Sequence, residues 1–145
     1  MLVAALLFAA LLTGNELGTL TIVHPAVLTL DVTNQVRMEQ ALTRRFLVIM
    51  PVLMTGTVVT TLTAGLRDDG TTRDLLLWAS LAYGTMLAIT LLGNMVLNVA
   101  TLRTNPTEAT TAAWQTVRRR WDRLHVARNA LNVTGLVLVC LAAAR

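Results

Sequence analysis

Long uncharged apolar runs alternate with short polar breaks along the chain, and this pattern predicts four membrane-crossing helices. Between Leu2 and Leu30 the only ionisable residues are Glu16 and His24, which fits a first span over about 2–25, ending near His24-Pro25. Phe46 to Leu66 is free of charge and predicts a second span over 46–66, with Pro51 in its first turns. Leu75 to Leu102 is uncharged over 28 residues and predicts a third span over 75–102. A fourth is expected over about 124–144. About 20 apolar residues suffice to cross a hydrocarbon core, so each run is long enough. The expected fold is all-α: an integral membrane four-helix bundle forming a single domain over 1–145.

The breaks differ in character. Arg67-Asp-Asp-Gly-Thr-Thr-Arg-Asp74 reads as a short turn punctuated by Asp-Gly. Around Arg37, Glu39, Arg44 and Arg45, the apolar residues Ala26, Val27, Leu30, Val36, Met38 and Leu42 are interspersed with polar ones. That spacing predicts an amphipathic helix lying near the membrane surface. A second connector runs from Ala109 to Arg123, after the break at Arg103-Thr-Asn-Pro-Thr-Glu108.

Composition agrees with the pattern. Of 145 residues, 54% are hydrophobic and 14% charged, against about 25% charged in soluble domains. A disordered chain, a coiled coil and a disulfide-stapled secreted module are excluded. All twelve basic residues are arginine. Arg37, Arg44 and Arg45 lie in the first connector, and Arg103, Arg118, Arg119, Arg120 and Arg123 in or beside the second, whereas the opposite side has only Arg67, Arg73 and Arg145. The positive-inside rule then places both connectors in the cytoplasm and both termini outside, in a membrane of the bacterial cytoplasmic type. Trp121 at the inner boundary and Trp78 at the outer one are expected as interfacial anchors. Arginines placed in this way act as topology signals, so no nucleic-acid partner is expected despite the net charge of +4. Cys140 is the single cysteine and can form neither an internal disulfide nor a dithiol relay. The N-terminus has no basic n-region and no A-x-A site, so the first helix is expected to be retained. The halves share Gln40-Ala-Leu-Thr-Arg-Arg-Phe46 and Gln115-Thr-Val-Arg-Arg-Arg-Trp121, a match consistent with a duplicated two-helix unit.

Polar groups in hydrocarbon are costly unless paired, so those present need a reason. At about 1.5 Å per residue, Glu16 lies slightly past the midplane and His24 near the inner boundary. Asn94 and Asn98 are four residues apart on the third span and share a face. On the fourth span His125, Arg128, Asn129 and Asn132 follow an i, i+3, i+4, i+7 spacing. Three helices thus bring polar groups to one depth, in a pocket expected among spans one, three and four and open to the inner leaflet. Each element also has a purely structural reading. The asparagines can bond neighbouring helices, His125 and Arg128 can reach headgroup phosphates, and the threonines of span two can bond their own backbone carbonyls. Glu16 must be protonated or paired, with Arg128 a candidate partner. No metal site is expected, since no His-x-x-x-His or Glu-x-x-His spacing occurs. A haem held between His24 and His125 is a lesser alternative.

Several of these residues together resemble a known family. Asn94-Met-Val-Leu-Asn98 is similar to the Asn-x-Pro-x-Asn segment of the small four-helix membrane family called anthrone oxygenase-like, or DUF1772. Arg120-Trp-Asp-Arg-Leu-His-Val-Ala-Arg128 resembles that family's Arg-Trp-x-x-x-His-x-x-Arg, and His24-Pro25-Ala26 also fits. The chain departs from the pattern at Val96, where the family often has proline. The resemblance implies a monooxygenase-type oxidoreductase that oxidises anthrones, tricyclic phenolic ketones, with O2 and with no metal or flavin cofactor. It implies His125 as base, Arg128 as oxyanion stabiliser and Glu16 as proton relay. Asn94, Asn98, His24, Trp121, Asn129 and Asn132 would contact the substrate. The expected partners are a hydrophobic small molecule, O2 and the lipid bilayer, with a homo-oligomer left open. The competing reading is a non-catalytic lipophile-binding or assembly protein whose polar cluster only locks the bundle.

Overall fold

The computed structural model describes all 145 residues and consists of four long helices with no strands. They are α1 (Leu2–Val27), α2 (Val32–Gly65), α3 (Gly70–Arg103) and α4 (Thr111–Ala143), each long and apolar enough to cross a membrane. They pack as a square in which each helix touches its sequence neighbours and α1 also touches α4. The core is built mainly from small and flexible side chains, among them Ala5, Ala9, Ala79, Met54 and Met86, around the fully buried Leu12, Leu76 and Tyr83. The outward faces carry exposed leucines, valines and isoleucines, as expected where lipid rather than water is the solvent. This is a membrane protein.

Helix α2 has 34 residues, about 50 Å at 1.5 Å per residue, well beyond a hydrocarbon core of about 30 Å. The excess lies at the Arg-rich end. The predicted amphipathic connectors do form, but as unbroken extensions of α2 and α4 rather than as separate helices on the membrane surface. The physical reason is that the extensions have each other to pack against. Val36, Glu39, Thr43, Trp114 and Arg118 are buried between them and the bundle, and the Trp114 indole donates to Gln35 Oε1 at 3.0 Å. Gln40 Nε2 donates to the carbonyls of Thr101 and Thr104 at 3.1 and 2.8 Å, satisfying the end of α3. A four-residue turn, Leu28–Asp31, joins α1 to α2. Its last residue caps α2, with the Asp31 carboxylate accepting from the Asn34 backbone N–H at 3.1 Å. That bond holds the exposed Asp31 carboxyl below its ordinary pKa.

Two π-helical turns interrupt the regular spiral, at Thr19–Val23 in α1 and at Thr90–Asn94 in α3. Each begins with a threonine whose hydroxyl donates to the carbonyl four residues back, Asn15 at 2.8 Å and Met86 at 2.9 Å. Both turns lie in helices that lead into an Arg-rich segment, 71 residues apart, against 75 for the shared Gln-x-x-x-Arg-Arg motif. The second π turn also explains how α3 is distorted without a proline at Val96. Such turns favour functional sites.

Close approaches fix the register. A Cβ added to Gly135 would come within 2.6 Å of the Tyr83 ring, which is fully buried. Gly135→Ala is expected to lower stability by about 1–3 kcal/mol through overpacking. Gly84→Ala, with nothing within 4 Å, should leave it unchanged. Thermal unfolding of both variants in one detergent checks the contrast.

Candidate active site

A cavity of about 220 Å³ lies inside the bundle toward the Arg-rich end, and all four helices line it. Both π-turn threonines, Thr19 and Thr90, are on its wall. Its apolar part comes chiefly from α2 and α3, with Phe46, Met50, Met54, Leu87 and Met95 prominent. The sequence expectation of a pocket among spans one, three and four therefore needs correction, because α2 supplies the largest share of the wall. Pro51 contributes to this, since a helical proline leaves the carbonyl four residues back, that of Leu47, without its usual partner. Leu47, Pro51 and Leu91 line the cavity and are also exposed on the outer surface of the bundle. The cavity thus opens sideways between α2 and α3, into the band that lipid would occupy.

The other end of the cavity is polar. Glu16 on α1 is 2% exposed and accepts a hydrogen bond from Arg128 Nη2 on α4. His125, one turn before Arg128, places Nδ1 3.2 Å from Glu16 Oε2. That is near enough for an ion pair, although the alignment is not that of a hydrogen bond. The expected pairing of Glu16 with Arg128 is realised, and both are buried with His125. His125 Nε2 is 3.4 Å from the amide nitrogen of Asn129, which itself donates to the His125 carbonyl at 3.0 Å.

A second charged cluster closes this end. His24 Nδ1 lies 2.9 Å from Glu39 Oε1, and Arg118 Nη1 is 3.2 Å from the same oxygen. Arg118 Nη2 reaches Asp122 Oδ1 at 2.9 Å. The aromatic rings between the clusters are in contact. Trp121 is 4.5 Å from His125 and 4.6 Å from His24, centroid to centroid, and the Arg118 guanidinium sits 4.7 Å over the Trp121 ring. Trp121 donates its indole N–H to Asn98 Oδ1 at 2.9 Å. It therefore faces the interior and does not serve as an interfacial anchor, whereas Trp78 is 63% exposed as an anchor should be.

Glu16, His24, Asn98, Trp121, His125 and Arg128 all line the cavity. Asn94, Asn129 and Asn132 are buried but do not line it. Asn94 and Asn98 part company because four residues carry a side chain about 40° round a helix, and Asn94 closes the π turn. Asn94 and Asn132 leave both amide atoms unpartnered, so the side-chain bonds to neighbouring helices expected of such amides are not made. Of the span-two threonines, Thr57 and Thr60 bond backbone carbonyls at 2.7 and 2.6 Å, as expected, while the buried Thr61 hydroxyl has no partner. Sequence reasoning missed Glu39 and Arg118. Their signal was spacing: Val36, Glu39, Thr43 and Met50 fall on one buried face of α2, and Trp114, Arg118, His125 and Asn132 on one of α4.

No group of three His, Cys, Asp or Glu side chains is arranged to hold a metal ion. The His24 and His125 rings meet edge to face at 5.6 Å, which leaves no slot for a porphyrin between them. What the arrangement can do is bind a flat apolar molecule against α2 and α3 and present cationic and imidazole groups to an oxygen at its leading edge.

No curated protein and no solved structure gives a significant match to the chain. A family model described as anthrone oxygenase matches residues 38–138, which hold α3 and most of α2 and α4 but leave Glu16 and His24 outside. With about two thirds of its length matched, the chain belongs to the anthrone oxygenase family.

Proposed function

We propose that the protein is a membrane-embedded oxygenase converting an anthrone-like hydrophobic phenolic substrate to the corresponding quinone with O2. The observation that carries this reading is a buried, charged group of side chains at the closed end of an apolar cavity whose mouth faces lipid. A cavity of about 150 Å³ holds benzene. A volume of 220 Å³ takes the leading rings of a tricycle, and the rest extends through the gap between α2 and α3.

The substrate supplies the electrons. Heterolysis of one methylene C–H bond leaves its electron pair in an enolate, and a histidine at the polar end takes the proton. The enolate gives one electron to O2, and the resulting radical and superoxide join in a C–O bond. The peroxide anion takes the proton back from the histidine, and the hydroperoxide loses water as its O–O bond breaks and the second C–H pair becomes the carbonyl π bond. In sum, a CH2 group and O2 become a C=O group and H2O. The protein's part is to stabilise the enolate oxygen and to keep the site dry. Arg128, held by Glu16, and His125, beside the same carboxylate, are the donors placed to do this. Asn98, fixed by Trp121, offers the substrate a further polar contact.

The test uses the purified protein in lipid nanodiscs, anthrone, and oxygen gas enriched in oxygen-18. The expected result is consumption of one O2 per anthrone above the protein-free rate, with one heavy oxygen in the new carbonyl. Binding of anthrone without oxygen uptake would overturn the reading and favour a lipophile-binding protein.

A further inference from the structure

We infer that His24, oriented by Glu39, is the group that takes the methylene proton, leaving His125 to serve the enolate oxygen with Arg128. The inference rests on the oxygenase reading above and assigns its first step.

The two cavity histidines differ in what their ring nitrogens meet. His24 Nδ1 has a hydrogen-bonding carboxylate oxygen at 2.9 Å. Glu39 is itself buried, and the same oxygen faces Arg118 Nη1 at 3.2 Å. Atoms 2.9 Å apart in hydrogen-bonding geometry share a proton, and under this assignment it sits on Nδ1, donating to Glu39. Arg118 Nη2 is 3.0 Å from the same ring nitrogen; it carries two protons, one of which goes to Asp122 Oδ1, and the assignment requires that the other is not donated to Nδ1. The Nδ1–H tautomer leaves the lone pair on Nε2, which is buried and has no hydrogen-bond partner. His24 lines the cavity, and a carboxylate-held imidazole with a free Nε2 is the arrangement a general base needs. His125 has neither feature. Its Nδ1 is not aligned with Glu16, and its Nε2 faces an amide nitrogen.

In the step assigned, the methylene C–H bond breaks, its electron pair stays with the substrate as the enolate, and the proton forms a new N–H bond at His24 Nε2. Glu39 stabilises the resulting imidazolium. Its partner Arg118 leads through Asp122, whose side chain is 40% exposed, toward the surface of the Arg-rich end.

The step is measured without oxygen, as uptake of deuterium from D2O into the methylene of anthrone by the protein in nanodiscs. Wild type is expected to exchange well above the protein-free rate, and His24→Gln to lose about 10²–10⁴-fold, with oxygen uptake falling in parallel. Glu39→Gln is expected to lose less and to shift the pH dependence of exchange. If wild type exchanges and consumes oxygen while His24→Gln matches it, this assignment falls and the oxygenase reading stands. If wild type does neither, both fall. Should His24→Gln fail to fold, nitrogen-15 NMR of the two histidines in wild type decides, since the chain has only these two and His125→Phe identifies each. A protonated Nδ1 on His24 supports the assignment, and a proton on Nε2 in the resting protein overturns it.

Discussion

Glu16→Ala is expected to lower the stability of the bundle by about 3–5 kcal/mol, the usual result of stripping one partner from a buried ion pair. Arg128 is only 5% exposed, and Glu16 is its ion-pair partner. Removing the carboxylate strands a guanidinium in the interior of a bundle surrounded by lipid. Against a total of about 5–15 kcal/mol for an ordinary domain, that is enough to unfold much of the population. The double variant Glu16→Met with Arg128→Met should recover most of the loss, because apolar side chains of similar volume often replace a buried pair at no net cost. Thermal unfolding of the singles and the double in one detergent gives the comparison. A double variant as unstable as Glu16→Ala would mean that the pair is needed for folding. A recovered but inactive double variant would mean that the bundle tolerates its absence and that chemistry retains it.

The four spans were legible because hydrophobic run length is a strong signal when lipid is the solvent. The polar stripe of α4 was legible for a related reason: each intramembrane polar residue must be accounted for. Glu39 and Arg118 were not. Both sit in stretches polar enough to pass for surface connectors, and Arg118 opens a run of three arginines that reads as a topology signal. Nothing in either segment alone says that α2 and α4 continue beyond the membrane and bury these residues against each other. That is a tertiary fact, visible only as matching three- and four-residue spacings on two helices. Trp121 shows the same limit. Its position suited an interfacial anchor, and only the Asn98 carbonyl opposite and the histidines beside it turn it inward. The π turns were beyond reach of the sequence, because the threonines that open them, Thr19 and Thr90, read as ordinary helical residues bonding their own backbone.

The cavity is built where regular helix geometry is relaxed, between two π turns and Pro51, and its polar end is held by residues from all four helices. Helices α2 and α4 extend over that end and bring Glu39 and Arg118 to it. The mouth is left to α2 and α3, whose exposed leucines offer a hydrophobic substrate a continuous path from lipid. The charged end is thereby closed to bulk water on the side where the arginines lie.

His125→Phe separates the catalytic reading from a merely structural one. Phenylalanine fills the volume of the ring and keeps the contact with Trp121, so the loss in stability should stay near 1–3 kcal/mol, the cost of a buried polar group left without its partner. Glu16 keeps Arg128, and the bundle remains folded. If His125 and Arg128 together stabilise the enolate oxygen, removing one of the two donors is expected to lower oxygen uptake with anthrone by about 10²–10³-fold. Anthrone binding, read by quenching of tryptophan fluorescence, should fall far less, since the apolar wall from Phe46, Met50, Met54 and Leu87 is untouched. A cluster that only locks the helices together predicts the reverse: a shifted melting temperature with no substrate-dependent oxygen uptake in either protein. A His125→Phe variant that turns over as fast as wild type would remove His125 from the chemistry and leave Arg128 as the donor to be tested.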